Sequence, residues 1–471
     1  MHYVDQPTFT LDPGYKPSVG PLRAVDGQLR DDAGRQVILR GPNFSGRHKQ
    51  PPHTFADGPD ALAPLHAQGF DVIRLVLAWE AIEPQRGRYD EGYLARIADI
   101  ARWAGAQGLS VIADMHQDLY SRAFGGSGAP AWAIAAEDLA ASPGSEPDAA
   151  WFTRYATSQA VRRSLQRFFS DADDLQGAFI GALCAVTRAL HEIPAVIGFE
   201  PFNEPFAGEL GFDTFEREHL EPFYRRCIDG VRAIAPAWLC FFEGALFASE
   251  IKLELDLSGY HGLVYLPHFY DKMVHATRQY GGSSPEMQKV LAAFDRDARA
   301  RGIPWMLGEY GIMHDAKGAF EYLRDNEQAL ERYGVGGTFW QYNPTELDWN
   351  DERMSVVAPD GSARCTLAAV ARPYPRAVAG RIDAYRYDDD ADVFELRFDA
   401  DEGDTLVAIP ERCFGGVRPR VELSQGQHAF SDDGRVLVLR SSGPTTLTLL
   451  PQDAADAELE TELAEEATAE D

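Results

Sequence analysis

Eight short apolar runs, separated by helix-like segments, constrain the fold of this 471-residue chain more than any other feature. The runs are mostly continuous, which is typical of parallel strands that are buried on both faces. Between them, segments such as 93–108 repeat apolar residues at helical spacing and end in glycine. The predicted strands are VILRGPN (37–43), DVIRLVL (71–77), SVIADMH (110–116), AVIGFEPFNEP (195–205), WLCFFEG (238–244), GLVYLPHFY (262–270), IPWMLGEYG (303–311) and GVGGTFWQY (334–342). Eight strands that alternate with helices predict an α/β fold of the (β/α)8 TIM-barrel type.

The pattern changes near residue 372, where short strands with period-2 alternation follow one another between Asp, Gly, Ser and Pro turns. We therefore expect a catalytic barrel over residues 1–371 and a C-terminal antiparallel β-sandwich over residues 372–451. Residues 452–471 carry nine acidic side chains and no basic one, which predicts an acidic disordered tail.

A long insertion, at about residues 119–180, separates the third predicted strand from the fourth. Long insertions on the top face of a barrel often form lids or walls of a binding site. The insertion is rich in aromatic residues: Trp132, Trp151, Phe152, Tyr155, Phe168 and Phe169. These side chains either line a substrate site or give the insertion a small core of its own, and one insertion can do both.

Charge and composition exclude several classes of function. The chain has 73 acidic and 44 basic residues, a formal charge of −29 without a basic cluster, so we expect no nucleic-acid partner. No apolar run approaches the ~20 residues of a membrane span. The five cysteines are scattered without metal-ligand spacing, and we expect no metal and no cofactor. The first residues do not resemble a signal peptide, which favours the cytoplasm, or secretion if the chain begins after a removed signal.

Polar side chains stand at the carboxyl ends of most predicted strands, where barrel enzymes place their catalytic groups. Burial of an ionisable group needs a partner or a function, and convergence from several strands favours a function. The strand-end candidates are Arg74, His116, Asp118, Asn203, Glu204, His268, Tyr270, Glu309 and Trp340.

Two of these residues, Glu204 and Glu309, follow strands that lie across a barrel from each other. Two facing carboxyl groups can hydrolyse a glycosidic bond, since one protonates the leaving oxygen while the other attacks C1 or activates water. The alternative is that either residue forms a salt bridge at the barrel rim, for example with Arg74.

The ordered set of strand-end residues resembles the active-site pattern of glycoside hydrolase family 5, the clan A cellulase-like barrels. More narrowly, several motifs resemble endoglycoceramidases and related glycolipid-cleaving members, which also join the barrel to a C-terminal β-sandwich. These motifs are DMHQDLYSR (114–122), FNEPF, LPHFY, LGEYG and RPYPRAVAG (372–380).

The resemblance implies a role for each residue that matches the family pattern. Glu204 would be the general acid/base and Glu309 the nucleophile of a retaining mechanism. Arg74 and Tyr270 would keep the nucleophile ionised, and Asn203 would hold the sugar 2-hydroxyl.

Five further residues would contact the substrate. His116 and His268 would hydrogen-bond the sugar or the acid/base, and Trp340 would form a platform for the sugar. Asp118 would accept hydrogen bonds from sugar hydroxyls, and Lys49 would be a further sugar contact.

The sequence thus predicts a retaining β-glycosidase that cleaves between a sugar or oligosaccharide and a lipid aglycone, with peripheral contact to a lipid or micelle surface. Two loops, 271–282 and 340–350, differ from the sequence pattern of the family. The sequence therefore does not determine which lipid is the aglycone or how many sugars the glycone has. A family 5 β-glucanase or mannanase and a steryl β-glucosidase, with the same two glutamates, are the alternatives. A catalytically inactive carbohydrate- or lipid-binding protein is the alternative from another class.

Overall fold

The computed structural model describes residues 8–12, 20–54, 58–142, 150–246, 252–346 and 349–452. Three short strands precede the barrel: β1 (Arg23–Val25), β2 (Gln28–Arg30) and β3 (Gln36–Val37). The barrel strands are β4 (Arg40–Phe44), β5 (Val72–Ala78), β6 (Ser110–His116), β7 (Val196–Glu200), β8 (Leu239–Phe242), β9 (Leu263–Tyr265) and β10 (Gly337–Tyr342). They form one parallel sheet in the order β10-β4-β5-β6-β7-β8-β9. Their side chains are buried almost throughout, as continuous apolar runs predict.

The segment after β9 closes this sheet into a barrel. The backbone N–H of Tyr265 donates to the carbonyl of Pro304 at 2.9 Å. On the other side, Thr338 donates to Leu307 at 2.8 Å. The predicted strand 303–311 therefore lies between β9 and β10 as extended chain with isolated bridges, which completes the (β/α)8 arrangement.

Helices connect the strands along the chain. The best-defined example is 91–106, where the Asp90 side chain accepts a hydrogen bond from the Tyr93 N–H and Gly108, at φ 74°, follows the end. The helices are α1 (Ala63–Ala67), α2 (Trp79–Ile82), α3 (Glu91–Ala106), α4 (Ala136–Ala140), α5 (Arg154–Thr157), α6 (Gln159–Phe169), α7 (Leu175–Leu190), α8 (Phe212–Phe215), α9 (Glu221–Arg232), α10 (Lys272–Thr277), α11 (Pro285–Arg301), α12 (Ala319–Tyr333) and α13 (Cys365–Val370). A π-helical turn, Glu216–Leu220, joins α8 to α9. In the described part of the chain, no helix is both long and apolar enough to cross a membrane.

The C-terminal region consists of two antiparallel sheets. Its strands are β11 (Tyr374–Val378), β12 (Gly380–Asp388), β13 (Val393–Ala400), β14 (Thr405–Ala408), β15 (Arg420–Leu423), β16 (Gln427–Phe430), β17 (Val436–Arg440) and β18 (Gly443–Leu450). One sheet has the order β12-β13-β18-β15 and the other β1-β2-β3-β11-β14-β17-β16. Burial alternates along β13, as period-2 patterning predicts. The predicted TIM barrel with a C-terminal antiparallel β-sandwich is confirmed.

The strands β1 to β3 lie within residues 1–371 of the sequence, yet they pair with the C-terminal sheet. Val37 in β3 is opposite Ala377 in β11, in antiparallel register. This sheet covers the amino ends of the barrel strands, because Val72 and Met306 share one apolar cluster with Leu406. The predicted acidic tail lies outside the described residues, apart from Gln452.

Candidate active site

The strand ends predicted to carry chemistry meet at the carboxyl end of the barrel, opposite the C-terminal sheet. Arg74 lies within β5, His116 ends β6, and Glu204 follows β7. Glu309 lies in the extended segment that closes the barrel. Its backbone forms an isolated parallel β-bridge with His268. Glu204 is 6% exposed and Glu309 5%, so both carboxyl groups are largely removed from bulk water.

Arg74 is fully buried and is the centre of this site. Its guanidinium makes two hydrogen bonds to Glu200, at 2.6 and 3.0 Å. It also donates to Glu309 Oε1 and to Asn203 Oδ1, each at 2.7 Å. Asp114 Oδ2 lies 3.1 Å from Nη2. A single planar cation thus fixes side chains from several strands in one geometry.

Glu309 receives a hydrogen bond on each carboxyl oxygen. Arg74 Nη1 donates to Oε1, and the Tyr270 hydroxyl donates to Oε2 at 2.8 Å. A charged donor on one oxygen and a hydroxyl on the other fix the orientation of this carboxyl group. One carboxyl oxygen of Glu309 lies within 4.8 Å of a carboxyl oxygen of Glu204.

Glu204 is held in an uncommon backbone conformation, with φ 43°. A non-glycine residue in this left-handed region costs on the order of 1–3 kcal/mol. Its N–H donates to Glu243 Oε1 at 2.9 Å, and its Oε1 lies 3.0 Å from His268 Nδ1. Burial, with the nearby charge of Asp118, raises the pKa of Glu204 to about 7. Burial also lowers the pKa of His268 to about 3, so this imidazole is neutral at ordinary pH.

A second charged chain runs from β6 to the insertion. His116 Nδ1 lies 2.7 Å from Asp114 Oδ2, and Nε2 lies 3.2 Å from Asp118 Oδ2. Burial opposes the charge on His116, but the two carboxylates outweigh it and raise the pKa to about 9. Asp118 Oδ2 also lies 2.9 Å from Lys49 Nζ. Burial would raise the pKa of Asp118, but Lys49 and His116 together hold it well below its usual range.

Trp340 forms one wall of the site. Its ring stacks on His116, with centroids 5.5 Å apart and planes at 14°. Lys49 Nζ lies 4.2 Å from the centroid of Trp340 and 3.8 Å from that of Trp349. The Trp340 indole N–H donates to Glu352 Oε2 at 2.9 Å, which fixes the ring.

An aromatic row leads away from this wall through the insertion to the surface. Its rings are Trp349, Trp151, Phe152, Tyr155, Phe206 and Phe212, and their successive centroids are 5.0, 5.6, 5.6, 5.2 and 5.4 Å apart. The Tyr155 hydroxyl accepts a hydrogen bond from Gln117, beside His116. Phe152 is 38% exposed and Phe212 44%.

The other aromatic residues of the insertion pack inward. Phe168 stacks on Phe202 with centroids 5.2 Å apart, and Phe169 meets Phe215 edge-on at 4.8 Å. Trp132 packs against Trp79. The insertion therefore combines a small core of its own with an aromatic row that starts at the site.

The structure brings all ten predicted site residues into one network of contacts. They are Lys49, Arg74, His116, Asp118, Asn203, Glu204, His268, Tyr270, Glu309 and Trp340. The sequence analysis missed six residues that contact this network: Asn43, Asp114, Glu200, Glu243, Trp349 and Glu352. Glu243 directly follows β8, so the strand-end rule could have found it. No comparable signal marks Glu352, which lies in a loop.

Two groups in the described residues have a metal-like arrangement of ligand atoms within 4.8 Å: Glu200, Glu243 and His268, and Glu204, His268 and Glu309. His268 belongs to both groups, and the second contains the paired carboxyl groups. Proton transfer between a neutral imidazole and carboxyl groups accounts for the same geometry. Both groups therefore fit acid–base clusters.

Several known proteins resemble this chain in sequence and in fold. Endoglycoceramidase I from Rhodococcus hoagii is 24% identical in an alignment of 488 positions, which covers 93% of this chain and 90% of that protein. A glucosylceramidase from Aspergillus fumigatus is 31% identical in an alignment of 256 positions, which covers 41% of this chain and 34% of that protein. Among solved structures, endo-glycoceramidase II from Rhodococcus sp. in complex with ganglioside GM3 has a TM-score of 0.76 and 25% identity, covering 90% of this chain and 99% of that one.

One family model matches the barrel and another matches the C-terminal region. The model described as cellulase (glycosyl hydrolase family 5) matches residues 31–346. The model described as glycoside hydrolase family 5 C-terminal domain matches residues 372–449. Since the first match spans more than half of the chain, the protein belongs to glycosyl hydrolase family 5.

Proposed function

We propose that this protein is a retaining β-glycosidase that hydrolyses the bond between a sugar or oligosaccharide and a lipid aglycone. The observation that carries the proposal is the pair Glu204 and Glu309, whose nearest carboxyl oxygens lie within 4.8 Å. Retaining enzymes hold their two carboxyl groups about 5–5.5 Å apart, whereas inverting enzymes leave about 6.5–9.5 Å for a water molecule. The pair therefore supports attack by a carboxylate on the sugar.

In the first step, a Glu309 oxygen bonds to C1 while the bond from C1 to the glycosidic oxygen breaks. Glu204 gives its proton to that oxygen, and the aglycone leaves as an alcohol. In the second step, Glu204 takes a proton from water, and the oxygen of that water bonds to C1 as the bond to Glu309 breaks. Asn203, fixed by Arg74 and Gln117, is placed to hold the 2-hydroxyl of the sugar.

The lipid part of the proposal has two supports. Relatives that match most of this chain are named for ceramide glycosides, and one neighbouring structure holds a ganglioside. The aromatic row also joins the catalytic wall to the exposed rings of Phe152 and Phe212. An apolar wall that reaches the surface suits a lipid chain and brings the enzyme into contact with a micelle or bilayer surface.

A product assay tests the proposal. The enzyme is incubated with glucosylceramide, a ganglioside and a steryl β-glucoside in detergent, and with carboxymethyl-cellulose in buffer. The Glu309→Gln variant is the matched control for contaminating activity. We expect release of sugar from at least one glycolipid and none from cellulose, with retention of configuration at C1 by NMR.

The pattern of products refines the substrate. An intact oligosaccharide from the ganglioside identifies endo action, and glucose from glucosylceramide or the steryl glucoside identifies a one-sugar pocket. Cleavage of cellulose alone would contradict the lipid aglycone and leave the two-glutamate mechanism in place. Inversion at C1 would contradict the mechanism.

A further inference from the structure

A second buried carboxyl group, Glu243, contacts the backbone of Glu204 and takes no part in the two chemical steps above. Its Oε1 accepts the N–H of Glu204 at 2.9 Å, at the residue whose φ is 43°. Glu243 directly follows β8 and is 4% exposed, so its own position is set by a barrel strand. A buried acceptor on this N–H satisfies a group that would otherwise be unpaired in the left-handed conformation.

The charges around Glu243 disfavour a second anion. Glu200 lies close to it, and both oxygens of Glu200 already receive hydrogen bonds from Arg74. Within the described residues, Glu243 forms no ion pair with a lysine or arginine. His268 Nε2 lies 3.4 Å from Glu243 Oε1, but that imidazole is neutral.

The carboxyl of Glu204, the hydroxyl of Tyr224 on α9 and the guanidinium of Arg74 also act on Glu243. Arg74 is the cation among them, but its donors bind Glu200, Glu309 and Asn203, and its charge only partly opposes the effect of burial. Burial, reinforced by Glu200 and Glu204, raises the pKa of Glu243 well above its usual range. Two carboxyl groups this close in a buried site share one proton. Burial raises the pKa of Glu200 to about 7, but Arg74 opposes that rise and donates to both Glu200 oxygens, so the shared proton is favoured on Glu243.

We propose that Glu243 is a positioning residue: as a neutral carboxylic acid, it holds Glu204 in its left-handed backbone conformation. One oxygen of Glu243 accepts the Glu204 N–H, and the other carries a proton directed at Glu200. The carboxyl group of Glu204 is thereby aimed at the glycosidic oxygen without a second negative charge beside it. This inference rests on the proposed acid/base role of Glu204.

The test uses kcat/KM, which reports the step in which the leaving group departs. Phenyl and 2,4-dinitrophenyl β-glycosides of glucose or cellobiose are compared, whichever sugar the unsubstituted enzyme cleaves. The phenyl leaving group must be protonated as it departs, whereas the dinitrophenyl leaving group departs as an anion. A misplaced acid therefore lowers kcat/KM for the phenyl substrate only. The variants are Glu243→Leu, which removes the acceptor, Glu243→Gln, which keeps an accepting oxygen, and Glu204→Gln as reference.

For Glu243→Leu, we expect kcat/KM to fall about 30-fold or more with the phenyl substrate and by less than about threefold with the dinitrophenyl substrate. Glu243→Gln should recover the phenyl value to within about threefold. An equal fall with both substrates would show a general structural role and overturn the proposal, provided Glu204→Gln shows the expected selective loss. If Glu204→Gln loses nothing selectively, the proposed acid/base assignment is what fails.

The pH profile of Glu243→Gln tests the neutral form even if Glu243→Leu does not fold. Replacing a neutral acid by an amide leaves the local charge unchanged, so the alkaline limb of kcat/KM should move by less than about 0.3 pH units. If Glu243 were an anion, its removal would lower the pKa of Glu204. A downward shift of about one unit would therefore overturn the proposal.

Discussion

Glu204 and Glu309 carry the same carboxyl group, and their surroundings give them opposite tasks. Arg74 donates to one oxygen of Glu309 and Tyr270 to the other, which holds this carboxyl group in a fixed orientation. Glu204 accepts no hydrogen bond from an arginine or lysine in the described residues, and burial raises its pKa to about 7. The different surroundings of the two carboxyl groups therefore suit Glu309 to the role of nucleophile and Glu204 to the role of acid.

The raised pKa of Glu204 predicts an alkaline limit to activity near pH 7. The acid must be protonated to act, so kcat/KM for a phenyl β-glycoside should be level below pH 6 and fall about tenfold per unit well above pH 7. The dinitrophenyl substrate, which needs no proton, should lack this limb. A limb near the ordinary glutamate pKa of about 4.3 would contradict the environment described for Glu204.

Replacement of the nucleophile should abolish turnover while preserving the fold. For Glu309→Gln, we expect kcat to fall roughly 10⁴-fold or more, because the amide cannot form the glycosyl-enzyme bond. Circular dichroism and the urea midpoint provide the check on folding. Near-normal hydrolysis by a correctly folded Glu309→Gln protein would refute the assignment.

At the scale of elements, the aromatic row separates the chemistry from the contact with lipid. Its first ring, Trp349, belongs to the site, while Phe152 in the middle of the row and Phe212 at its far end are exposed. We expect the double variant Phe152→Ser/Phe212→Ser to lower kcat/KM for a micellar glycolipid by about tenfold, through loss of about 1.4 kcal/mol of apolar contact. Hydrolysis of a water-soluble aryl glycoside should stay within about twofold.

Val417→Ser is the control, since Val417 is 41% exposed in the C-terminal region. An equal loss in that control would argue against a specific surface.

The strand ends explain how much of the site the sequence could predict. A barrel orders polar residues by strand, so Arg74, Glu204 and Glu309 are visible from local pattern alone. Trp349 and Glu352 lie in a loop whose path depends on the rest of the molecule, and no periodicity marks them. The pairing of β3 with β11 could not be predicted for a different reason. A strand of two residues is too short to show an alternation of apolar and polar residues.

At the scale of the whole molecule, buried ion pairs join the barrel to the C-terminal sheets. Arg372 is 1% exposed and binds Glu331 on α12 and Asp389 after β12. Arg372→Ala would leave the buried carboxylate of Glu331 with only the more distant Arg40, at 4.0 Å, and would remove the cation beside the half-buried Asp389. We expect a cost of about 3 kcal/mol in the free energy of unfolding. Urea denaturation is the measurement, and Arg386→Ala is the matched control. Arg386 pairs with Glu395 on the surface, where water screens the charges, so its replacement should leave the urea midpoint almost unchanged. Equal effects would mean that the two regions are joined mainly by apolar packing.

The C-terminal sheet that contains β1, β2 and β3 constrains the order in which the molecule folds during synthesis. Its first three strands emerge from the ribosome early, but their neighbour β11 begins at Tyr374, more than 300 residues later. Contacts this distant along a chain form slowly, since the intervening segment must first be brought into a closed loop. Throughout synthesis of the barrel, its amino end therefore has no cover, and apolar side chains such as Val72 and Met306 face solvent or a chaperone. The C-terminal sheets, residues 374–450, cover this end of the barrel only after they have been synthesised and β11 has paired with β3.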